Sequence, residues 1–167
     1  MSKIKVLLAG ISGAMGQTFL ETNLGDVEIV AGFSKEPVTN LPFSNYTNLE
    51  DVEEEIDAII DFSHYSALDD LLNFAKRRKL PILIASTGHD GEDQKKMMEA
   101  SNEIPVFFSQ NTSQGVYTVG SVLPDMARKL EDFNLEIIES HHRYKKDSPS
   151  GTAFYLFNQL KEGREDL

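Results

Sequence analysis

The chain contains no cysteine, is short of basic residues and has no long apolar run, and each of these absences excludes something. Without cysteine there can be no disulfide, thiolate metal site or cysteine nucleophile, which fits a reducing compartment and leads us to expect a cytoplasmic protein. Lysine and arginine number 16 against 27 aspartates and glutamates, a formal net charge of -11. The broad basic surface that nucleic-acid binding requires is therefore missing, and no nucleic-acid partner is expected. An anionic small molecule would need a local basic pocket, and Arg143, Lys145 and Lys146 are the cluster that could form one. No apolar stretch approaches the roughly 20 residues of a membrane-spanning helix, so no membrane partner is expected either. Ile4–Ala9 is too short and wrongly flanked for a secretory signal. There is no internal repeat and no low-complexity segment, and with 40% apolar residues the 167-residue chain can bury a real core.

What is present is alternation. Short apolar runs at Ile4–Ala9, Val27–Phe33, Asp57–Phe62, Pro81–Ala85 and Pro105–Phe108 read as buried strands. Between them Gly13–Glu21, Ser66–Lys79 and Glu92–Ser101 read as helices, the second basic at its C-terminal end as the helix dipole favours. Glu36–Thr47, with two prolines, reads as a loop with at most a short irregular strand, and Asn48–Glu55 as a short acidic helix with a solvated face. Val116–Leu130 reads as a longer helix interrupted or kinked near Pro124, and Leu135–Glu139 as a further strand. Strand and helix in repetition predict an α/β fold, a Rossmann-like parallel sheet with helices on both faces. We expect a dinucleotide-binding domain over residues 1–112 and the start of a second, α+β domain over 113–167.

In such sheets ligands bind at the carboxyl ends of the strands, and the unusual residues sit there. Gly10-Ile11-Ser12-Gly13-Ala14-Met15-Gly16 follows the first strand, where glycine lets the backbone turn sharply and approach a pyrophosphate. The same pattern would also serve a close-packed strand-to-helix turn. Ser34 and Lys35 end the second strand, where a carboxylate would select NAD; a hydroxyl and an ammonium suit a 2′-phosphate, favouring NADPH while leaving NADH open. Ser86-Thr87-Gly88 and Asn111–Gly115 follow later strands. His64 and His89 also lie near strand ends, where each could border the cofactor, but read better as solvated loop histidines; Met97 and Met98 read as packing or exposed helix residues, and Phe107 and Phe108 as sheet core, one of which could line the nicotinamide pocket.

The densest chemistry lies in Glu139-Ser140-His141-His142-Arg143-Tyr144-Lys145-Lys146-Asp147-Ser148-Pro149-Ser150-Gly151-Thr152-Ala153. Histidine can give a proton to a carbon or nitrogen centre near neutral pH. Lys145 can donate a second proton or hold a carboxylate, and Asp147 is placed to orient the loop. Ser150-Gly151-Thr152 reads as a helix start whose cap can also grip a carboxylate. No further histidine or cysteine completes a metal set, and no metal is expected. Together these motifs suggest a nicotinamide-dependent reductase acting on a small acidic substrate.

Over nearly its whole length the chain resembles the 4-hydroxy-tetrahydrodipicolinate (dihydrodipicolinate) reductases. The resemblance lies in the 139–153 stretch, the glycine turn, Asp61-Phe62-Ser63, Ser86-Thr87-Gly88 and Asn111-Thr112-Ser113-Gln114-Gly115-Val116, in that order. It implies hydride transfer from NADPH or NADH to the ring of a dicarboxylate with loss of water, in the diaminopimelate route to lysine. It further implies a cytoplasmic homotetramer. His141 would be the acid–base and Lys145 a proton donor, with His142, Ser150, Gly151 and Thr152 on the substrate's carboxylates. Cofactor contacts would fall on Gly10, Ile11, Ser12, Gly13, Ala14 and Met15, on Ser34 and Lys35, on Ala85, Ser86 and Thr87, and on Ser109, Gln110, Asn111 and Thr112. Ala14 stands where many members carry arginine, and Ser34 where an acidic residue is common. Members also continue through several further strands, so the second domain is expected to be truncated here. The alternative that follows is a nucleotide-binding member without turnover.

Overall fold

The computed structural model describes residues 3–22, 24–141, 143, 145 and 148–167. The chain divides into two compact units, residues 1–110 and 111–167.

The first unit is built on six strands: β1 (Ile4–Ala9), β2 (Val27–Phe33), β3 (Ser44–Tyr46), β4 (Ala58–Asp61), β5 (Ile82–Ile84) and β6 (Val106–Phe108). All pair in parallel, in the order β3-β2-β1-β4-β5-β6. The order reverses direction at β1, the switch point of a dinucleotide-type sheet. Helix α1 (Ala14–Glu21) connects β1 to β2, α2 (Leu68–Arg78) connects β4 to β5, and α3 (Gly91–Ala100) connects β5 to β6. Right-handed crossovers that run in opposite directions from β1 place α1 on one face and α2 with α3 on the other. The core follows that division. Leu7, Ala9, Ile59 and Ile84 pack with Leu71, Phe74 and Ala75 of α2 and Met97 of α3. Val6, Leu8 and Ile11 are buried outside that cluster. β1 is covered on both faces, which is why its last four residues read as an unbroken apolar run.

Helix ends follow the local chemistry. Asp90 caps α3, its carboxylate accepting the N–H groups of Glu92 and Asp93 at 2.9 Å each. Those bonds hold its carboxyl below the usual carboxylate range. Lys79 closes α2 in the left-handed conformation, φ 55°, behind three basic residues in the last turn.

Four expectations need correction. Asn48–Glu55 forms only a single 3-10 turn, Leu49–Asp51. The guanidinium of Arg78 takes the carbonyls of Val52 and Glu54 at 2.9 and 2.7 Å, so those groups are tied to α2 rather than to a helix ladder. Leu135–Glu139 has no regular secondary structure. A strand exists only through a neighbour's hydrogen bonds, and among the described residues none pairs with it; Ile138 is 88% exposed. Phe107 lies on the outermost strand and is 57% exposed; only Phe108 packs against the core. Pro124 sits inside its helix without interrupting it.

The second unit holds α4 (Gln114–Lys129) and α5 (Gly151–Gly163). They pack through small residues. A Cβ on Gly120 would meet the Tyr155 ring at 2.5 Å, and one on Gly163 would meet the Pro124 carbonyl carbon at 2.8 Å. Arg164 donates to the carbonyls of Leu130 and Phe133 at 3.0 and 2.8 Å, satisfying the end of α4. Among the described residues, no helix is long and apolar enough to cross a membrane.

Leu71 is fully buried between α2 and the sheet. We expect Leu71→Ala to lower the unfolding free energy by about 2–5 kcal/mol, read as a lower urea midpoint at unchanged slope.

Candidate functional site

Sheet register gathers the candidate residues of the first unit. Tyr46, Phe33, Ala9, Asp61, Ile84 and Phe108 are successive Cα partners, one row across all six strands. The residues after that row, Gly10, Ser34, Phe62 with Ser63, Ala85 with Ser86, and Ser109, therefore leave the sheet along one edge.

At the centre of that edge Gly10 has φ +81°, and a Cβ there would lie 2.5 Å from the backbone of Phe62 and Ser63. Gly16 is equally constrained: a Cβ would sit 2.8 Å from the Ile11 Cα and closer still to the Gly10 carbonyl. The turn is further fixed by Gly13 N–H donating to the Gly10 carbonyl at 3.0 Å and Gln17 donating to the Ile11 carbonyl at 2.7 Å. α1 thus begins at the tip of β1. Its N-cap is Gly13, which supplies no side-chain acceptor, so the first-turn N–H groups point outward uncapped. Ser12, Gly13, Ala14 and Met15 are exposed there, whereas the Ile11 side chain is fully buried and offers only backbone.

Ser34 is 3% exposed; its hydroxyl donates to the Glu36 carbonyl at 2.6 Å and accepts from Asn45 at 2.9 Å. Lys35 beside it is exposed. On the other side of β1, Ser86 is buried and Thr87 exposed, with Ala85 between these extremes. Ser86 donates to Asp61 Oδ2 at 2.6 Å, and Ser63 N–H donates to Asp61 Oδ1 at 2.7 Å. His89 is not solvated: its side chain is fully buried, Nε2 lies 2.9 Å from Ser86 Oγ and Nδ1 lies 3.1 Å from Asp93 Oδ2. Phe108 packs edge-on against its ring at 5.6 Å. Sequence reasoning missed Asp93 and misread His89; the signal was their four-residue spacing across the start of α3. His64 is exposed and caps the short turn at Tyr65–Ala67.

Ser109 and Gln110 belong to the first unit, Asn111 and Thr112 to the second. Within the second unit Asn111 Nδ2 donates to Thr152 Oγ1 at 3.0 Å, which joins two motifs 41 residues apart. Ser150 caps α5, accepting from Ala153 N–H at 3.0 Å, and its own N–H donates to Glu139 Oε1 at 2.9 Å. Glu139 is the residue sequence reasoning left without a role. Its Oε2 is buried, 3.8 Å from His141 Nδ1, with no hydrogen-bond donor among the described residues. Gly151 and His141 are exposed. His142, Tyr144, Lys146 and Asp147 lie outside the described residues. Among the described residues no group of three or more metal-type ligands is placed to hold an ion.

The Glu139 carboxyl is held below its ordinary value by hydrogen bonds from Ser150, with the positive charges of His141 and Lys145 adding to them. A depressed carboxylate stabilises the fold above its unfolded pKa, and that stability is lost as pH falls through the lowered folded value. We therefore expect the protection of the Ser150 amide, its exchange relative to that of a free amide at the same pH, to fall as pH is lowered through that acidic range. Glu139→Gln should give fast exchange there already at neutral pH.

The chain is similar to known proteins. The family model for the dihydrodipicolinate reductase N-terminus matches residues 4–112, and that for its C-terminus matches residues 115–166. A 4-hydroxy-tetrahydrodipicolinate reductase of Clostridium tetani is 39% identical over 162 residues, 95% of this chain and 64% of that protein. One of Caldanaerobacter subterraneus is 40% identical over 161 residues, with the same coverage. The chain thus spans about 64% of the length of these curated relatives. Among solved structures, dipicolinate-bound dihydrodipicolinate reductase from Paenisporosarcina sp. TG-14 superposes with TM-score 0.72 at 24% identity, covering 97% of this chain and 67% of that one. The WlbA dehydrogenase of Chromobacterium violaceum, in complex with NADH and UDP-GlcNAcA, gives 0.61 at 13% identity, covering 76% and 41%. With both halves of its motif set matched in order, this chain belongs to the dihydrodipicolinate reductase family.

Proposed function

We propose that this chain carries the reductase's working residues for converting 4-hydroxy-tetrahydrodipicolinate to tetrahydrodipicolinate, a step of lysine biosynthesis by the diaminopimelate route. The observation that carries the reading is the Glu139–Ser150–His141 arrangement: one carboxylate oxygen accepts from the start of α5, and a histidine lies 3.8 Å from the other. It sits in a chain of this family whose sheet edge ends in an uncapped helix.

The first unit fits a nicotinamide dinucleotide. Gly10 and Gly16 allow the close backbone packing that starts α1 at the tip of β1, and the α1 N-terminus offers N–H groups and a positive dipole end to a pyrophosphate. Gly10 to Met15, Ser34, Lys35, Ala85 to Thr87, Ser109 and Gln110 would hold it, with Ser34 acting through the backbone because its hydroxyl is committed. The exposed Lys35, with no carboxylate at Ser34, favours the 2′-phosphate of NADPH over NADH. When bound, the cofactor supplies the hydride that replaces the ring hydroxyl.

The chain's own residues supply binding and protons. The α5 N-terminus, with Ser150, Gly151 and Thr152, grips a substrate carboxylate, and Asn111 fixes Thr152 for that task. His142 would take the other carboxylate. His141, 3.8 Å from Glu139, acts as acid–base: it gives a proton to the leaving hydroxyl and takes one from the neighbouring ring carbon, and Lys145 returns a proton to that carbon once the hydride has arrived. The net change is hydride plus proton in, water out.

One observation favours a second reading, cofactor binding without turnover: Ile137 and Ile138, next to Glu139, are exposed rather than packed. A single assay separates the two. Fresh substrate is generated from pyruvate and aspartate semialdehyde and NADPH oxidation is followed. We expect turnover, and His141→Gln to lower it by about a hundredfold or more without changing NADPH affinity. An unchanged rate in that variant would refute the role of His141. Absence of turnover with NADPH still bound would select the second reading.

A further inference from the structure

We infer that His89 is a positioning residue: through Ser86 and Asp61 it fixes the 85–88 turn at the end of β5, the part of the sheet edge that faces the cofactor. The inference rests on the cofactor reading above and extends it to a residue outside the matched motifs.

The chain of contacts is continuous and buried. Asp61 ends β4 and is 1% exposed; Ser63 N–H occupies one of its oxygens and Ser86 O–H the other. A hydroxyl has one proton, and at 2.6 Å from a carboxylate oxygen that proton belongs to this short, charge-assisted bond. The Ser86 oxygen is then left as an acceptor, and His89 Nε2 at 2.9 Å is the group placed to donate to it. Nδ1 on the far side of His89 faces Asp93 Oδ2 of α3 at 3.1 Å, a contact that needs a proton on that nitrogen too, and Lys96 lies 3.8 Å from the other oxygen of Asp93. Phe108 closes the edge of the ring. The hydroxyl of Ser86 is thus saturated from both sides and turned inward.

Two consequences follow for the turn. Ser86 cannot present its hydroxyl to a ligand, so contact there comes from backbone and from Thr87, which is exposed. The direction in which Thr87 points is set by a bracket anchored at β4 and at α3. A second restraint lies one residue on: Gly88 has φ +92°, and a Cβ there would meet the Tyr65 ring at 2.9 Å. The turn is therefore restrained before and after Thr87, and removing His89 releases the α3 end of the first restraint while Ser86 keeps its bond to Asp61.

The test uses the intact chain with His89→Ala and, as a conservative rescue, His89→Gln, whose amide can still donate to Ser86. Two quantities are read: NADPH affinity by fluorescence, and amide exchange at residues 85–88 against that of β1. Loss of one well-placed hydrogen bond predicts about tenfold weaker NADPH binding in His89→Ala. Exchange should be faster at 85–88 and unchanged in β1, with substantial recovery of both in His89→Gln. Wild-type affinity and unchanged local exchange in His89→Ala would overturn the inference, as would a Gln variant no better than Ala. Should His89→Ala not fold, Asp93→Asn, on a partly exposed side chain, is read the same way and should show the same changes in weaker form. If the wild-type chain itself binds no NADPH, the cofactor reading fails. The exchange comparison still decides whether His89 holds the turn.

Discussion

Everything at the sheet edge depends on how closely three backbone segments approach one another at Gly10. The end of β1, the Phe62–Ser63 link after β4 and the first turn of α1 converge there with no volume for a Cβ. Because β1 is central in the strand order, this contact sets where α1 starts and how far Asp61 stands from the turn after β5. A larger residue at Gly10 would face both a positive φ and a backbone collision, and no side-chain rearrangement relieves either. The uncapped helix start and the buried Asp61–Ser86–His89 bracket lie on opposite sides of that one point.

The electrostatics work against the chain's own charge. At a net charge of -11 an anionic ligand is repelled at long range, and attraction must come from fixed local groups. The structure offers helix N-termini for this purpose in both units. α1 starts without a side-chain cap, whereas α5 is capped by Ser150 and braced by Glu139. The difference is physical. An uncapped end leaves its N–H groups unpaired, and a capped end leaves fewer.

The second unit is organised around helix contact rather than a sheet. Gly120 and Gly163 let α4 and α5 approach closely, and Arg164 satisfies the carbonyls at the end of α4. Much of its apolar surface remains open: Tyr117, Phe133 and Phe154 are each more than half exposed. Among the described residues, Glu139–Ser150 and Asn111–Thr152 are hydrogen bonds that join positions well separated in sequence.

The sequence by itself determined the strands and helices of the first unit, because period and composition report directly whether an element is covered on one face or two. It also determined the glycine turn and the Ser150 cap, where a local backbone requirement admits few residue types. The tertiary structure alone decided that Leu135–Glu139 is not a strand, since pairing depends on a neighbour that no local pattern specifies. It decided likewise that residues 48–55 give up helix for the guanidinium of Arg78, an interaction 24 residues away in its closest contact. His89 went the same way: its type suits a solvated loop, and only the folding of α3 over β5 brings Asp93 and Ser86 to its two nitrogens. Local propensity acts through the backbone of a few consecutive residues, whereas burial and hydrogen-bond partnership are set by segments that meet only after the sheet has formed.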